Sequence, residues 1–174
     1  MITIIASTNR ANSYSLQTAR YYQRMIEKSG LEASILSLDL LPDDIIHADM
    51  YDKQKPASFE PFQSIITQTS KFLFIIPEYN GSFPGILKVM VDTCRFPESF
   101  YGKKAGLVGI STGKYGNIRG LDHFTGICHY LNINLLPLKI HIPYIHKELD
   151  AEGNFFQPDT LKFTKQQIDQ FIAF

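Results

Sequence analysis

The sequence has no tryptophan, only two cysteines and no excess of charge of either sign. Its 17 Lys and Arg residues balance 17 Asp and Glu residues, so the broad positive potential of nucleic-acid-binding proteins is missing. The thiols, Cys94 and Cys128, are too few for a disulfide scaffold and are expected to be buried. The five histidines show neither an HxxxH nor an HExxH spacing, and no metal site is expected.

Long apolar runs are missing as well. No segment approaches the roughly 18 residues of a membrane span, and the chain opens on Met-Ile-Thr-Ile-Ile-Ala without a basic region or cleavage site. With 44% hydrophobic and 20% charged residues among 174, the composition is typical of one globular domain over residues 1–174. We therefore expect a cytoplasmic protein that binds a small ligand and neither nucleic acid nor a membrane.

Short apolar runs alternate with longer amphipathic stretches, a pattern typical of strand–helix–strand units on a parallel sheet. Strands are predicted at 2–6, 33–38, 72–76, 105–110 and 133–138. Helices are predicted at 16–26, 62–69, 85–95, 121–131 and 164–172, the last burying Phe163, Ile168, Phe171 and Ile172. Segment 40–61 is predicted to be mostly loop. This order predicts an α/β protein, a flavodoxin-like three-layer sandwich whose five-stranded parallel sheet (order 2-1-3-4-5) has helices on both faces.

In such a sheet, ligands bind beyond the carboxyl ends of the strands, where the loops 7–15, 77–85 and 111–117 are expected to meet. The first loop carries four hydroxyl residues, two Asn and one Arg before a helix N-terminus, which attracts anions. Neither the Gly-Lys-Ser/Thr of a Walker A loop nor a GxGxxG turn is present, which favours a monophosphate. The alternative is that Ser13 or Ser15 only caps the helix.

The other two loops suit a flat ring. The second carries two prolines, two glycines and Tyr79, so it is rigid and offers backbone groups and an aromatic face to a heterocycle. The alternative interpretation of this loop is structural: it is a stiff connection in which Pro84 begins the next helix. The third has two glycines and small hydroxyls, which let backbone approach a ligand. Lys114 there either favours an anionic ring or a phosphate, or is simply solvated.

Three strings carry a resemblance to a known family: STNR at 7–10, PEYNGSFPGILK at 77–88 and STGKYG at 111–116. Together they resemble the NADPH-dependent FMN reductase family, from the first strand to about the fifth. The resemblance implies FMN as cofactor, NADPH or NADH as hydride donor, and a flavin, quinone, azo dye or metal oxyanion as small-molecule acceptor. The residues that match its FMN-binding positions are Ser7, Arg10, Asn12, Ser13 and Ser15 for the phosphate, Pro77, Glu78, Tyr79, Asn80 and Gly81 along the isoalloxazine, and Ser111, Thr112 and Gly113 on its pyrimidine side.

The chain departs from the family pattern at two places. Ala6 stands where most members have Gly, with Arg10 one place later than usual, and the Trp that usually follows the second loop's helix is missing. Hydride transfer between nicotinamide and flavin needs no acid, base or nucleophile, so no catalytic residue is predicted. Instead, the backbone amides of 78–81 and 112–113 are expected to polarise the flavin oxygens.

The resemblance also implies a homodimer or homotetramer, with Phe96, Phe100 and Tyr101 as a candidate surface. Three other functions stay open: a flavodoxin-like electron carrier, a flavin-binding sensor without NAD(P)H oxidation, and a domain that has lost the cofactor and binds another anion. Neutral net charge argues against the carrier, because long-chain flavodoxins are strongly acidic.

Overall fold

The computed structural model describes residues 1–46 and 56–174. Its strands are β1 (Ile2–Ala6), β2 (Ala33–Ser37), β3 (Lys71–Pro77), β4 (Lys104–Ile110), β5 (Asn134–Leu135) and β6 (Ile140–Ile142). Its helices are α1 (Tyr14–Glu27), α2 (Glu60–Gln68), α3 (Gly85–Thr93), α4 (Ile118–Tyr130) and α5 (Pro158–Ala173). The predicted alternation of strands and helices is therefore confirmed over the described ranges.

The sheet is parallel, with the order β2-β1-β3-β4-β5, and β6 also pairs with β4. This order confirms the flavodoxin-like fold. All five residues of β1 are buried because helices cover both faces of the sheet, which explains an apolar run without alternation. Strand order reverses between β1 and β3, so the loops after β1, β3 and β4 emerge side by side.

Two apolar cores lie on opposite faces of the sheet. Helices α1 and α5 cover one face, where they pack against Leu73 and Ile75 of β3. Helices α2, α3 and α4 cover the other face, where Phe72, Phe74 and Ile76 belong to the core. Successive side chains of a strand point to opposite faces, so β3 contributes to both cores in turn.

The predicted fifth strand at 133–138 is wrong in extent. Two short strands, β5 and β6, lie beside β4 instead, with Pro137 between them. Proline has no N–H for the ladder. The side chain of Gln167 on α5 fills the gap, since its Nε2 donates to the carbonyl oxygens of Leu107 at 2.9 Å and Leu138 at 3.0 Å. A helix side chain therefore completes this part of the sheet.

The last helix also differs from its prediction. It begins at Pro158 instead of residue 164, because proline suits the first turn of a helix. Phe163, predicted to be buried, is 45% exposed, whereas Thr164 and Gln167 take buried positions. In the predicted loop 40–61, short 3₁₀ turns occupy 43–45 and 57–59 and α2 begins at Glu60. Residues 47–55 of that loop lie outside the described residues.

None of the helices in 1–46 and 56–174 is both long and apolar enough to cross a bilayer. The same ranges contain no group of three or more His, Cys, Asp or Glu side chains placed to hold a metal ion. Both cysteines are buried as predicted, and burial raises the pKa of Cys128 to about 12, so this residue stays a thiol at neutral pH.

Candidate functional site

One cavity of about 250 Å³ lies beyond the carboxyl ends of β1, β3 and β4, where the three loops meet. Nine of the residues predicted from the sequence line it: Arg10, Asn12, Ser13, Ser15, Pro77, Glu78, Tyr79, Ser111 and Thr112. The cavity wall is completed by five others, namely Thr8, Ala11, Tyr14, Ile110 and Ile145.

The first loop ends in the N-terminus of α1, which faces the cavity. Ser13 is the N-cap, and its Oγ accepts a hydrogen bond from the N–H of Leu16 at 3.2 Å. The N–H groups of Tyr14 and Ser15 have no intrahelical acceptor, as in the first turn of any helix. No acidic residue lies in this turn to compete for the positive end of the helix dipole. An anion is therefore favoured here.

Ser15 provides a test of whether a phosphate fits this end of the cavity. The residue is 1% exposed, and its Oγ is buried without a hydrogen-bond partner among the described residues. A buried hydroxyl without a partner costs about 1–3 kcal/mol, which a phosphate oxygen accepting its hydrogen bond would recover. Arg10 lines the same cavity, is exposed and forms no ion pair within the described ranges. Ser13 therefore caps the helix through its hydroxyl oxygen and keeps its O–H to donate, whereas Ser15 does not cap the helix.

The second loop folds into a tight hairpin. The backbones of Tyr79 and Ser82 exchange two hydrogen bonds of 2.9 and 3.0 Å. The residues between them, Asn80 and Gly81, have φ angles of +52° and +77°, which matches a two-residue type I′ turn and requires Asn or Gly. The N–H of Glu78 donates to the carbonyl oxygen of Ile110 at 2.9 Å, which joins the loop to β4.

These hydrogen bonds limit which amides can face a ligand. The N–H groups of Glu78 and Tyr79 already donate to protein carbonyls, so the expectation that they polarise flavin oxygens is wrong. Those of Asn80, Gly81, Thr112 and Gly113 form no hydrogen bond in the part of the chain that the structure describes. The hypothesis that backbone amides polarise the flavin oxygens therefore applies only to these four N–H groups.

A hydroxyl pair joins the first two loops. Tyr79 Oη lies 2.7 Å from Oγ1 of Thr8, a residue that is 1% exposed. The same Oγ1 accepts a hydrogen bond from the N–H of Arg10 at 3.3 Å. The Tyr79 side chain is therefore attached to the first loop. Thr8 was missed from the sequence, although its place between Ser7 and Arg10 was a signal.

The third loop is held by the chain that follows β6. Ser111 Oγ donates to the carbonyl oxygen of Gly113 at 2.8 Å and accepts from the N–H of Gly116 at 3.0 Å. The N–H groups of Tyr144 and Ile145 donate to Gly113 and Ser111, both at 3.0 Å. These backbone hydrogen bonds hold Ile145 at the cavity wall, and no motif near Ile145 in the sequence predicts that position.

His141 lies against the same loop, with Nδ1 3.3 Å from the carbonyl oxygen of Gly116. Burial lowers its pKa, an effect that the contact with Gly116 only partly opposes. The imidazole is therefore mostly neutral at pH 7 and adds little positive charge to the site.

Four predicted site residues do not line the cavity: Ser7, Asn80, Gly81 and Gly113. Ser7 is fully buried, where its N–H donates to Ile75 at 3.0 Å and its Oγ to Ile5 at 3.3 Å. These bonds fasten the start of the first loop to β3. Asn80, Gly81 and Gly113 shape the turns on which the lining residues stand.

The sequence is similar to FMN reductases and quinone reductases. The sequence model of the NADPH-dependent FMN reductase family matches residues 1–147. A 2-hydroxy-1,4-benzoquinone reductase of a Burkholderia species is 28% identical over 99% of this chain and 94% of its own length. An NAD(P)H-dependent FMN reductase of Pseudomonas aeruginosa is 26% identical over 90% of this chain and 88% of its own.

A solved structure supports the fold. The flavoenzyme NAD(P)H:(acceptor) oxidoreductase of Paracoccus denitrificans superposes with a TM-score of 0.84 at 22% identity, over 99% of this chain and 94% of that one. The family model matches most of the sequence, including all three loops of the cavity, and therefore identifies the family as well as the fold. The chain therefore belongs to the NADPH-dependent FMN reductase family and is an oxidoreductase that uses FMN and NAD(P)H.

Proposed function

We propose that this protein passes electrons from NAD(P)H through FMN in the described cavity to a small quinone-type acceptor. The observation that carries the proposal is the buried, unpartnered hydroxyl of Ser15 beside the open N–H groups of α1, among the described residues. Relatives named as quinone and FMN reductases support the acceptor class. A flavodoxin-like carrier is not favoured by these relatives.

In this proposal each loop has its own role. Arg10, Asn12, Ser13 and Ser15 bind the phosphate, with Ser7 ordering the loop behind them. Pro77, Glu78, Tyr79, Asn80 and Gly81 support one side of the isoalloxazine, and Ser111, Thr112 and Gly113 face its pyrimidine side. Bound FMN supplies the hydride-accepting and electron-donating chemistry, so the chain needs to hold the rings, orient them and exclude water.

The first test is the visible spectrum of the protein reconstituted with FMN, followed without oxygen as NADPH is added. We expect a stable one-to-one complex whose oxidised flavin band disappears within seconds. Free FMN at the same concentration, without protein, serves as the control for direct reduction. A bound flavin that NADPH leaves oxidised would point to the sensor, and no flavin binding at all would point to another anion.

The remaining expectations concern domain, location and assembly. We infer that residues 1–174 form one FMN-binding domain, because α5, beyond the matched residues, packs in the same core as α1. We also infer a cytoplasmic location and a homodimer.

An apolar groove between α3 and α4 is the proposed dimer contact. It lies beside Phe96 at 67% and Tyr130 at 85% exposure, and a second copy of the chain is its proposed occupant. Phe100, expected on that surface, is buried against Phe72 instead.

Replacing Tyr130 with glutamate is expected to convert the dimer to a monomer, because a charge that a second copy covers in the groove must be desolvated. Analytical ultracentrifugation at micromolar concentration measures the mass. The matched control is Phe156→Glu, which puts the same charge on an exposed aromatic position outside the groove and is expected to leave the dimer intact. A wild-type protein that sediments as a monomer would contradict the inference.

A further inference from the structure

A second, smaller cavity of about 110 Å³ shares Glu78 with the flavin cavity. Its other lining residues are Tyr115, at the end of the third loop, and Ile118 and Arg119, in the first turn of α4. Tyr115 is 57% exposed and Ile118 46% exposed, so the smaller cavity is open to solvent beside the flavin cavity. We call these four residues the rim cavity.

The rim cavity is lined by one cation, Arg119. Its side chain is exposed and forms no hydrogen bond or ion pair with any residue that the structure describes. Its Nη1 lies 3.8 Å from the position that a Cβ on Gly81 would take, which puts the guanidinium beside the second loop. Lys114 Nζ lies 4.9 Å from the centre of the Tyr115 ring. Arg119 therefore lines the same cavity as the exposed Tyr115 ring, Lys114 lies over that ring, and the one carboxylate of the cavity is that of Glu78.

This combination suits one part of the hydride donor. The nicotinamide has to lie on the flavin ring, so the adenosine half of the coenzyme must extend across the rim. Arginine presents a planar fork that matches phosphate oxygens, and an arginine commonly accommodates the 2′-phosphate in NADP-dependent enzymes. Tyrosine offers a face on which a base can stack.

We propose that Arg119, assisted by Lys114, binds the 2′-phosphate of NADPH, with the adenine against Tyr115. Arg119 is then a specificity-determining residue for NADPH over NADH, two donors that differ only in this phosphate. The inference rests on the proposed function, because it takes the nicotinamide to lie over FMN. Arg10 is assigned to the FMN phosphate, and Lys147, whose Nζ lies 5.4 Å from the Tyr144 ring, is the competing cation near the third loop.

The test measures binding without turnover. Oxidised, FMN-loaded protein is titrated calorimetrically with NADP⁺ and with NAD⁺, and the ratio of the two dissociation constants is compared between variants. Arg119→Gln is expected to weaken NADP⁺ about 10-fold, the loss of a charge-assisted phosphate contact, and NAD⁺ by less than about 2-fold. Arg119→Lys is expected to retain part of the preference. In steady-state assays the KM for NADPH rises in Arg119→Gln while kcat stays close to that of the wild type.

The matched control is Arg20→Gln, which removes another exposed arginine, on α1 and outside both cavities. It tests whether net charge alone changes the ratio, and we expect no change. The inference is overturned if the wild type does not prefer NADP⁺, if Arg119→Gln weakens both nucleotides equally, or if Lys147→Gln changes the ratio and Arg119→Gln does not. If the samples bind no FMN, the proposed function fails; if FMN binds and NADPH reduces it while the ratio is unchanged, only this inference fails.

Discussion

Ser15→Asp is expected to lower the affinity for FMN by about 100-fold or more. The substitution puts a carboxylate at the place where we expect the FMN phosphate. Two like charges about 4 Å apart repel by about 4 kcal/mol at an effective dielectric constant of about 20, and a tenfold loss of affinity corresponds to about 1.4 kcal/mol. Solvent screening lowers that repulsion, so about 100-fold is a conservative expectation.

The same change is expected to lower the stability of the apoprotein, because the new carboxylate is buried at a position that is 1% exposed, and the helix dipole offsets only part of that cost. Fluorescence titration of the apoprotein gives the FMN affinity, and thermal unfolding gives the stability. Gln17→Glu adds the same charge further along α1, outside the cavity wall, and is the matched control. Riboflavin, which lacks the phosphate, provides a second comparison. Equal weakening of FMN and riboflavin by Ser15→Asp would contradict the assigned role of the first loop.

Gly109→Ala is expected to lower the free energy of unfolding by about 3 kcal/mol. A Cβ at this position of β4 would lie 2.4 Å from the carbonyl oxygen of Gly116 and 3.1 Å from Leu121 Cγ. Side chains can give way, but the oxygen belongs to the backbone of the third loop. The loop would have to move away from the sheet, so we also expect weaker FMN binding.

Chemical denaturation of the apoprotein measures this loss, and FMN titration measures its effect on the site. Gly85→Ala is the matched control, because nothing lies within 4 Å of its added Cβ and the position is exposed at the start of α3. It is expected to change stability by no more than about 0.5 kcal/mol. If the two variants unfold at the same denaturant concentration, the close packing of the third loop on β4 is not a source of stability.

Most of the fold could be predicted from local pattern. The predicted bounds of β1 agree with the structure because a strand buried on both faces leaves an uninterrupted apolar run. The fifth strand could not be predicted in the same way. Pro137 interrupts the ladder, but the group that replaces the missing strand contacts is the side chain of Gln167, which reaches Leu138 from a helix 29 residues further along the chain. A contact of this kind leaves no periodic signal at either end.

The candidate site could likewise be predicted only in part from the sequence. The motif strings predicted the three loops that line the cavity, but they did not distinguish two serines at the start of α1. Ser13 caps the helix and Ser15 does not, a difference that depends on which hydroxyl meets the N–H of Leu16. Ile145 enters the wall only because backbone bonds from Tyr144 and Ile145 attach that segment to the third loop.

The hydroxyl pair of Thr8 and Tyr79 has a consequence for how long the cofactor stays. Because the pair ties two loops together before any ligand arrives, little conformational entropy remains to be lost when FMN binds. A preorganised site of this kind favours tight binding and slow release. We therefore expect the flavin to be retained through many catalytic cycles as a prosthetic group, while NAD(P)H and the acceptor exchange.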